Sequence, residues 1–105
     1  GHVGPSTAPR QIVAQLVEMA CKEHELSRFL PELQSVPLSE DAVHLMVTEA
    51  VREKNEDLLE QVEQLAREKG IDFSESTYAM LIKGYKGRDE KVELLFLEAL
   101  DKKSD

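Results

Sequence analysis

Three places in the sequence hold residue types that can do chemistry. Cys21 and His24 stand three residues apart, a spacing that puts two side chains on one helix face, and a thiol beside an imidazole is the beginning of a nucleophile pair. Glu23 and Glu25 interleave with Lys22 and His24, so the neighbourhood is not basic enough to generate a thiolate. The plainer expectation for Cys21 is a small buried apolar side chain. As the only cysteine it has no disulfide partner within the chain, and one cysteine with three scattered histidines is a poor structural zinc set. His44 can hydrogen-bond or stack, or be an ordinary exposed helix histidine. Lys83, Lys86 and Arg88 cluster at the end of a helical stretch, where they can meet a phosphate or simply complement a helix C-terminus.

The remaining chemistry argues against catalysis. There is no Gly-rich phosphate loop and no Gly-x-Ser-x-Gly elbow. Glu49, Glu53, Glu56, Asp57, Glu60 and Glu63 are numerous, but none is set among apolar neighbours as a raised-pKa acid would be. They are expected on the solvent side of amphipathic helices, where they would repel a phosphate backbone. The sequence therefore predicts a non-enzyme with no cofactor, no metal and no small-molecule substrate.

The elements that must position these residues are helical. Apolar residues recur at helical spacing throughout, and no segment alternates with a period of two, so no sheet is expected. The first helix begins near Pro9 and carries Ile12, Val13, Leu16, Val17 and Ala20 as its stripe. The second carries Leu26, Phe29, Leu30 and Leu33, with Pro31 either kinking it or marking its first turn. Ser39 opens the third, with Glu40 and Asp41 at the positive end of its dipole and Ala42, Val43, Met46, Val47 and Ala50 inward. Arg52 to Asp57 reads as a turn capped by Asn55, before a fourth helix with Leu58, Leu59, Val62, Leu65 and Ala66. Lys69-Gly70 ends it. Ser74 starts the fifth, with Tyr78, Leu81, Ile82 and Tyr85 inward. Gly87 breaks it, and Asp89 caps a sixth with Val92, Leu95, Phe96, Ala99 and Leu100 inward. Residues 1–8 are expected to be a disordered tag or linker, with Gly1-His2 a cloning remnant, and residues 102–105 a frayed tail.

Composition fits one all-α domain. At 105 residues a core can form without disulfides, and with few aromatics it must be mainly aliphatic. The net charge of −8 disfavours a phosphate-binding domain, but it is uneven. Residues 1–75 hold 15 acids against seven Lys and Arg, and residues 76–105 hold six of each, so a polyanion contact belongs at the C-terminal end. No apolar run is long enough to span a bilayer, and the first residues lack the apolar core of a signal peptide. The chain is expected to be a piece of a longer protein.

Six helices with short turns make three stacked helical hairpins, over approximately 9–38, 39–73 and 74–101. Leu16-Val17, Ala20 and Lys22 align with Met46-Val47, Ala50 and Arg52, and more loosely with Leu81-Ile82, Tyr85 and Gly87-Arg88. The offsets, 30 and 35 residues, suit a helical solenoid. The last third adds Gly70-Ile71, Thr77-Tyr78, Leu81-Ile82, Tyr85, Gly87-Arg88 and Leu95-Phe96, and in these residues it resembles a pentatricopeptide repeat. Residues 39–73 are a degenerate match and 9–38 a weaker one. The turn after Tyr85 is about two residues shorter than the family's usual one, and Phe73 and Ser74 stand where Pro and Asp are common.

The resemblance implies single-stranded RNA as ligand and an organelle, the mitochondrion rather than the chloroplast, as location; the cytoplasm is the alternative. In that family two polar side chains per repeat read one base. Carried onto this sequence, the early position is Ala14, His44 and Ala79, and the closing position is Ser39 and Ser74. Alanine offers no side-chain donor or acceptor, so this code is poorly met. The RNA-binding set implied is His44, Ser74, Lys83, Lys86 and Arg88. The alternative is a protein-interaction module whose acidic solenoid surface holds a partner protein of basic or apolar character.

Overall fold

The structure, a computed structural model, describes residues 7–103 and is all-helical among them. Six helices follow in order: α1 (Thr7–Lys22), α2 (Leu26–Leu33), α3 (Glu40–Arg52), α4 (Glu56–Glu68), α5 (Glu75–Gly84) and α6 (Asp89–Lys103). They form three antiparallel hairpins, α1–α2, α3–α4 and α5–α6. The first helices pack side by side, with α3 between α1 and α5, while α4 backs α3 and touches α5. The result is a slab of 50 × 34 × 18 Å, its thin dimension about two helix diameters. This is the hairpin stack that periodicity predicted.

Local chemistry sets most of the boundaries. Ser39, Asn55 and Ser74 each cap a helix: Ser39 Oγ accepts from Ala42 N at 3.1 Å, Asn55 Oδ1 from Leu58 N at 3.1 Å and Ser74 Oγ from Thr77 N at 3.2 Å. Acids follow each cap, where the dipole favours them. Replacing Ser39 or Asn55 by alanine should cost roughly 1 kcal/mol. That is a fall of about 4–8 °C in Tm for a domain of this size, measurable by thermal denaturation. An unchanged Tm would mean that water replaces the cap without loss.

The repeat is visible in the backbone. At the end of α1, Glu25 N donates to Ala20 O at 2.8 Å and His24 N to Cys21 O at 3.2 Å, with His24 at φ 58°. Thirty residues on, Asn55 N donates to Ala50 O at 3.0 Å and Lys54 N to Val51 O at 3.1 Å, with Lys54 at φ 55°. The first two hairpins thus turn through the same left-handed C-cap in the same register. The third departs from it: α5 stops at Gly84, and the positive φ falls on Gly87.

Several sequence expectations need correction. α1 begins at Thr7 rather than Pro9, so only residues 1–6 of the expected linker lie outside the described residues. Pro31 sits in the last turn of α2, not the first, and the helix stops two residues later. The turn after α3 is only residues 53–55. Asp89 is the first residue of α6 rather than its cap, and α6 continues to Lys103, leaving 104–105 outside the described residues. Ile12, Phe96 and Leu100, expected inward, are 65%, 53% and 48% exposed. They lie on the two end hairpins, where no further helix of the described residues covers them. The core itself is aliphatic as expected, with Val17, Val43, Met46, Leu59, Val62 and Leu81 almost wholly buried.

Candidate functional site

The five residues singled out by the sequence fall into separate groups at opposite ends of α5. His44 and Ser74 meet at its N-terminus. Thr77 Oγ1 donates to Glu40 Oε2 at 2.8 Å, so it has no second proton to give. His44 Nδ1 lies 2.9 Å from Thr77 Oγ1, which, with its own proton on Glu40, is placed to accept from a protonated Nδ1. Ser74 Oγ lies 3.0 Å from Thr77 Oγ1, and Ser74 N donates to Glu40 Oε2 at 3.2 Å. Burial alone would raise the Glu40 carboxyl, but the bonds from Thr77 and Ser74 outweigh it and hold it below the ordinary value. His44 and Ser74 thus belong to a joint between α3 and α5. Sequence reading missed Glu40 and Thr77 in this role. A carboxylate one residue after a cap is ordinary, and nothing local says that it reaches the next hairpin.

Lys83, Lys86 and Arg88 lie at the other end of α5. Arg88 Nη1 donates to Glu56 Oε2 at 2.7 Å and to Glu60, and its guanidinium stacks on Tyr85 at 5.5 Å. Its charge is therefore engaged within the fold. Lys83 and Lys86 are exposed and, with Lys54 from the α3–α4 turn, rim a hollow of about 420 Å³ floored by Val51 and Leu59. Lys54 was not anticipated as a partner of this pair. Only the stacking of the second and third hairpins brings it there.

Two acids expected in solvent are buried. Glu63 is 3% exposed and Glu49 4% exposed. Glu63 accepts from Tyr85 Oη at 2.7 Å, Arg67 Nε at 2.8 Å and Lys91 Nζ at 2.9 Å. Arg67 turns its other nitrogens onto Glu98 at 3.0 and 3.1 Å, and Glu98 accepts from Tyr78 Oη at 2.7 Å. Burial pushes the Glu63 carboxyl up, but its three donors more than offset this and keep it below the ordinary carboxylate value. Burial, then Glu63, pushes the Tyr85 hydroxyl well above its usual range. These groups clamp α4, α5 and α6 together.

Cys21 is buried, as expected, and its thiol is pushed up to about 11 by burial and by Glu49. Its Sγ lies 3.9 Å from Leu45 O, and His24 contacts Glu49 and Glu53 instead.

Two concave surfaces remain. A trough of about 640 Å³ runs across α2, α4 and α6, with Asp57, Glu60, Gln61, Gln64 and Glu68 prominent along it. On the open side of the third hairpin a groove of about 380 Å³ is lined by Tyr78, Ala79, Ile82, Phe96, Ala99 and Leu100. Leu94 and Leu97 continue the exposed apolar surface of α6. No helix among the described residues is long and apolar enough to cross a membrane. Set against protein-family models, curated proteins and solved structures, the chain matches none, so its own geometry carries the functional reading.

Proposed function

We propose that this chain is a non-catalytic helical-repeat binding module, and that the open face of α5–α6 receives an amphipathic helix of a partner protein. One observation carries this reading. Ser39 and Ser74 are equivalent caps, so Glu40, His44 and Val47 of α3 correspond to Glu75, Ala79 and Ile82 of α5. Glu40 and His44 hold α5, and Glu75, Ala79 and Ile82 line the open groove. The groove therefore continues the surface on which each hairpin seats the next. Its occupant is a helix with a mainly apolar face and a small residue where α5 has Gly84, which comes close to Val51 and Leu59.

A second reading, single-stranded RNA binding, follows from the resemblance to pentatricopeptide repeats and has its own support in Lys54, Lys83 and Lys86. Phosphates can meet these lysines, and such contacts weaken as salt rises. His44 and Ser74 have less to offer a base, since both are hydrogen-bonded within the fold.

One experiment separates the two. A library of amphipathic helical peptides and a mixed single-stranded RNA pool are titrated against the chain at two salt concentrations, with Phe96→Asp and Lys83→Glu variants alongside. A helix that binds, resists salt and loses at least about tenfold with Phe96→Asp supports the first reading; tenfold is about 1.4 kcal/mol, the scale of one lost apolar anchor. RNA binding that falls with salt and with Lys83→Glu, but ignores Phe96→Asp, replaces it with the second.

A further inference from the structure

A cluster unrelated to the apolar groove lies where the first hairpin meets the second. His24 occupies the left-handed position of the α1–α2 turn, and Glu49 and Glu53, four residues apart, share one face of α3. His24 Nδ1 is 3.1 Å from Glu49 Oε2 and 2.5 Å from Glu53 Oε2. An imidazole nitrogen carries at most one proton, so two carboxylate oxygens closing on it are one acceptor too many. The three ligand atoms come from three residues on two hairpins and lie within 4.8 Å of one another.

We infer that His24, Glu49 and Glu53 form a site for a divalent transition-metal ion of the Zn²⁺ class. One imidazole nitrogen and two carboxylate oxygens suit such an ion. Bonds of about 2.0–2.2 Å in a tetrahedral arrangement place ligand atoms roughly 3.3 Å apart. Glu49 Oε2 already stands close to that distance from His24. Glu53, at the surface, needs to move by less than about an ångström to match it. Arg52 lies 3.6 Å from the other Glu49 oxygen, an outer contact that leaves Oε2 directed at His24. Ser27, Asn55 and Leu58 help to enclose a hollow of about 40 Å³ beside the cluster. That is room for a water as fourth ligand.

The site is not a general consequence of the repeat. At the matching turn of the second hairpin the left-handed residue is Lys54, and its neighbours across the junction are Lys83 and Lys86. A bound ion would tie the α1–α2 turn to α3, stiffening one junction of the solenoid. Because the ion displaces the proton on Nδ1, affinity should weaken as pH falls.

The test is a ZnCl₂ titration of the whole chain at pH 7.5, followed by histidine ring NMR and by thermal denaturation. The site predicts saturation near one equivalent, a shift of the His24 ring signals without a matching shift at His44, and a rise in Tm. Glu53→Gln should weaken binding by at least about tenfold, and so should His24→Asn, which keeps a residue that tolerates positive φ. A His24 ring that does not respond to millimolar Zn²⁺ would overturn the inference. So would affinity unchanged in both variants, which would leave the cluster as an imidazolium ion pair.

Discussion

Glu63→Gln should cost about 3 kcal/mol of folding stability, the low end of what breaking a buried ion pair costs. The carboxylate is buried while Arg67 and Lys91 are each about a third exposed, so those two can regain some water when it is lost. Tyr85 cannot, since it is fully buried and its hydroxyl has Glu63 as acceptor. Glutamine keeps one acceptor oxygen for Tyr85 but removes the charge that Arg67 and Lys91 neutralise. Urea denaturation at pH 7 measures the loss, and a change under 1 kcal/mol would mean that the clamp is not a stabilising unit.

The same substitution should change how stability depends on pH. The Glu63, Glu98 and Glu40 carboxyls all sit below their ordinary value of 4.5 in the folded chain. Their contribution is therefore fully present above that value, where the unfolded carboxyl is ionised too. It is lost as pH falls toward and through the lower folded values. Wild-type stability should decline below about pH 5, and Glu63→Gln should decline less steeply. Parallel curves for the two proteins would remove Glu63 from the account of acid unfolding.

Gly84→Val should cost about 2–3 kcal/mol, through overpacking at the joint of α3, α4 and α5. A Cβ at position 84 would meet the Val51 side chain at 2.8 Å and the Leu59 side chain closer still. Leu59 is buried, so it has little room to withdraw, and a β-branched residue adds two more carbons to the same space. The stability of Gly84→Val with Leu59→Ala discriminates between causes. If crowding is responsible, the pair should lose less than the sum of the two single costs, by roughly 1 kcal/mol. Simple additivity would point instead to the backbone of the last turn of α5.

Much of this fold was legible in the chain. Ser39, Asn55 and Ser74 announce helix starts because a short oxygen side chain can bond a free N–H two or three residues on, an event that needs no tertiary contact. The stripes of α3 and α4 were readable because both helices are covered by neighbours. The stripe of α6 was misread for the opposite reason. Phe96 and Leu100 obey helical periodicity, but burial needs a second surface, and no other described helix lies over them. Glu49 and Glu63 were misread because a carboxylate is assigned to solvent unless its donors are known. Their donors stand 22 residues or more away as well as nearby: His24 for the one, Tyr85 and Lys91 for the other.

The same division separates what the candidate sites owe to sequence and to structure. Helix content, the capped starts of α3, α4 and α5, the hairpin repeat and the concentration of basic residues near the end of α5 follow from local pattern, because caps, periodicity and charge act over one to two turns. Stacking decided the rest. It bonded His44 and Ser74 into the α3–α5 joint, paired Arg88 with Glu56 and Glu60, brought Lys54 beside Lys83 and Lys86, and set His24 over Glu49 and Glu53. Each of these depends on how one hairpin is seated against the next. That placement is set by the packing of side chains such as Leu59 against Gly84, which have no local signature.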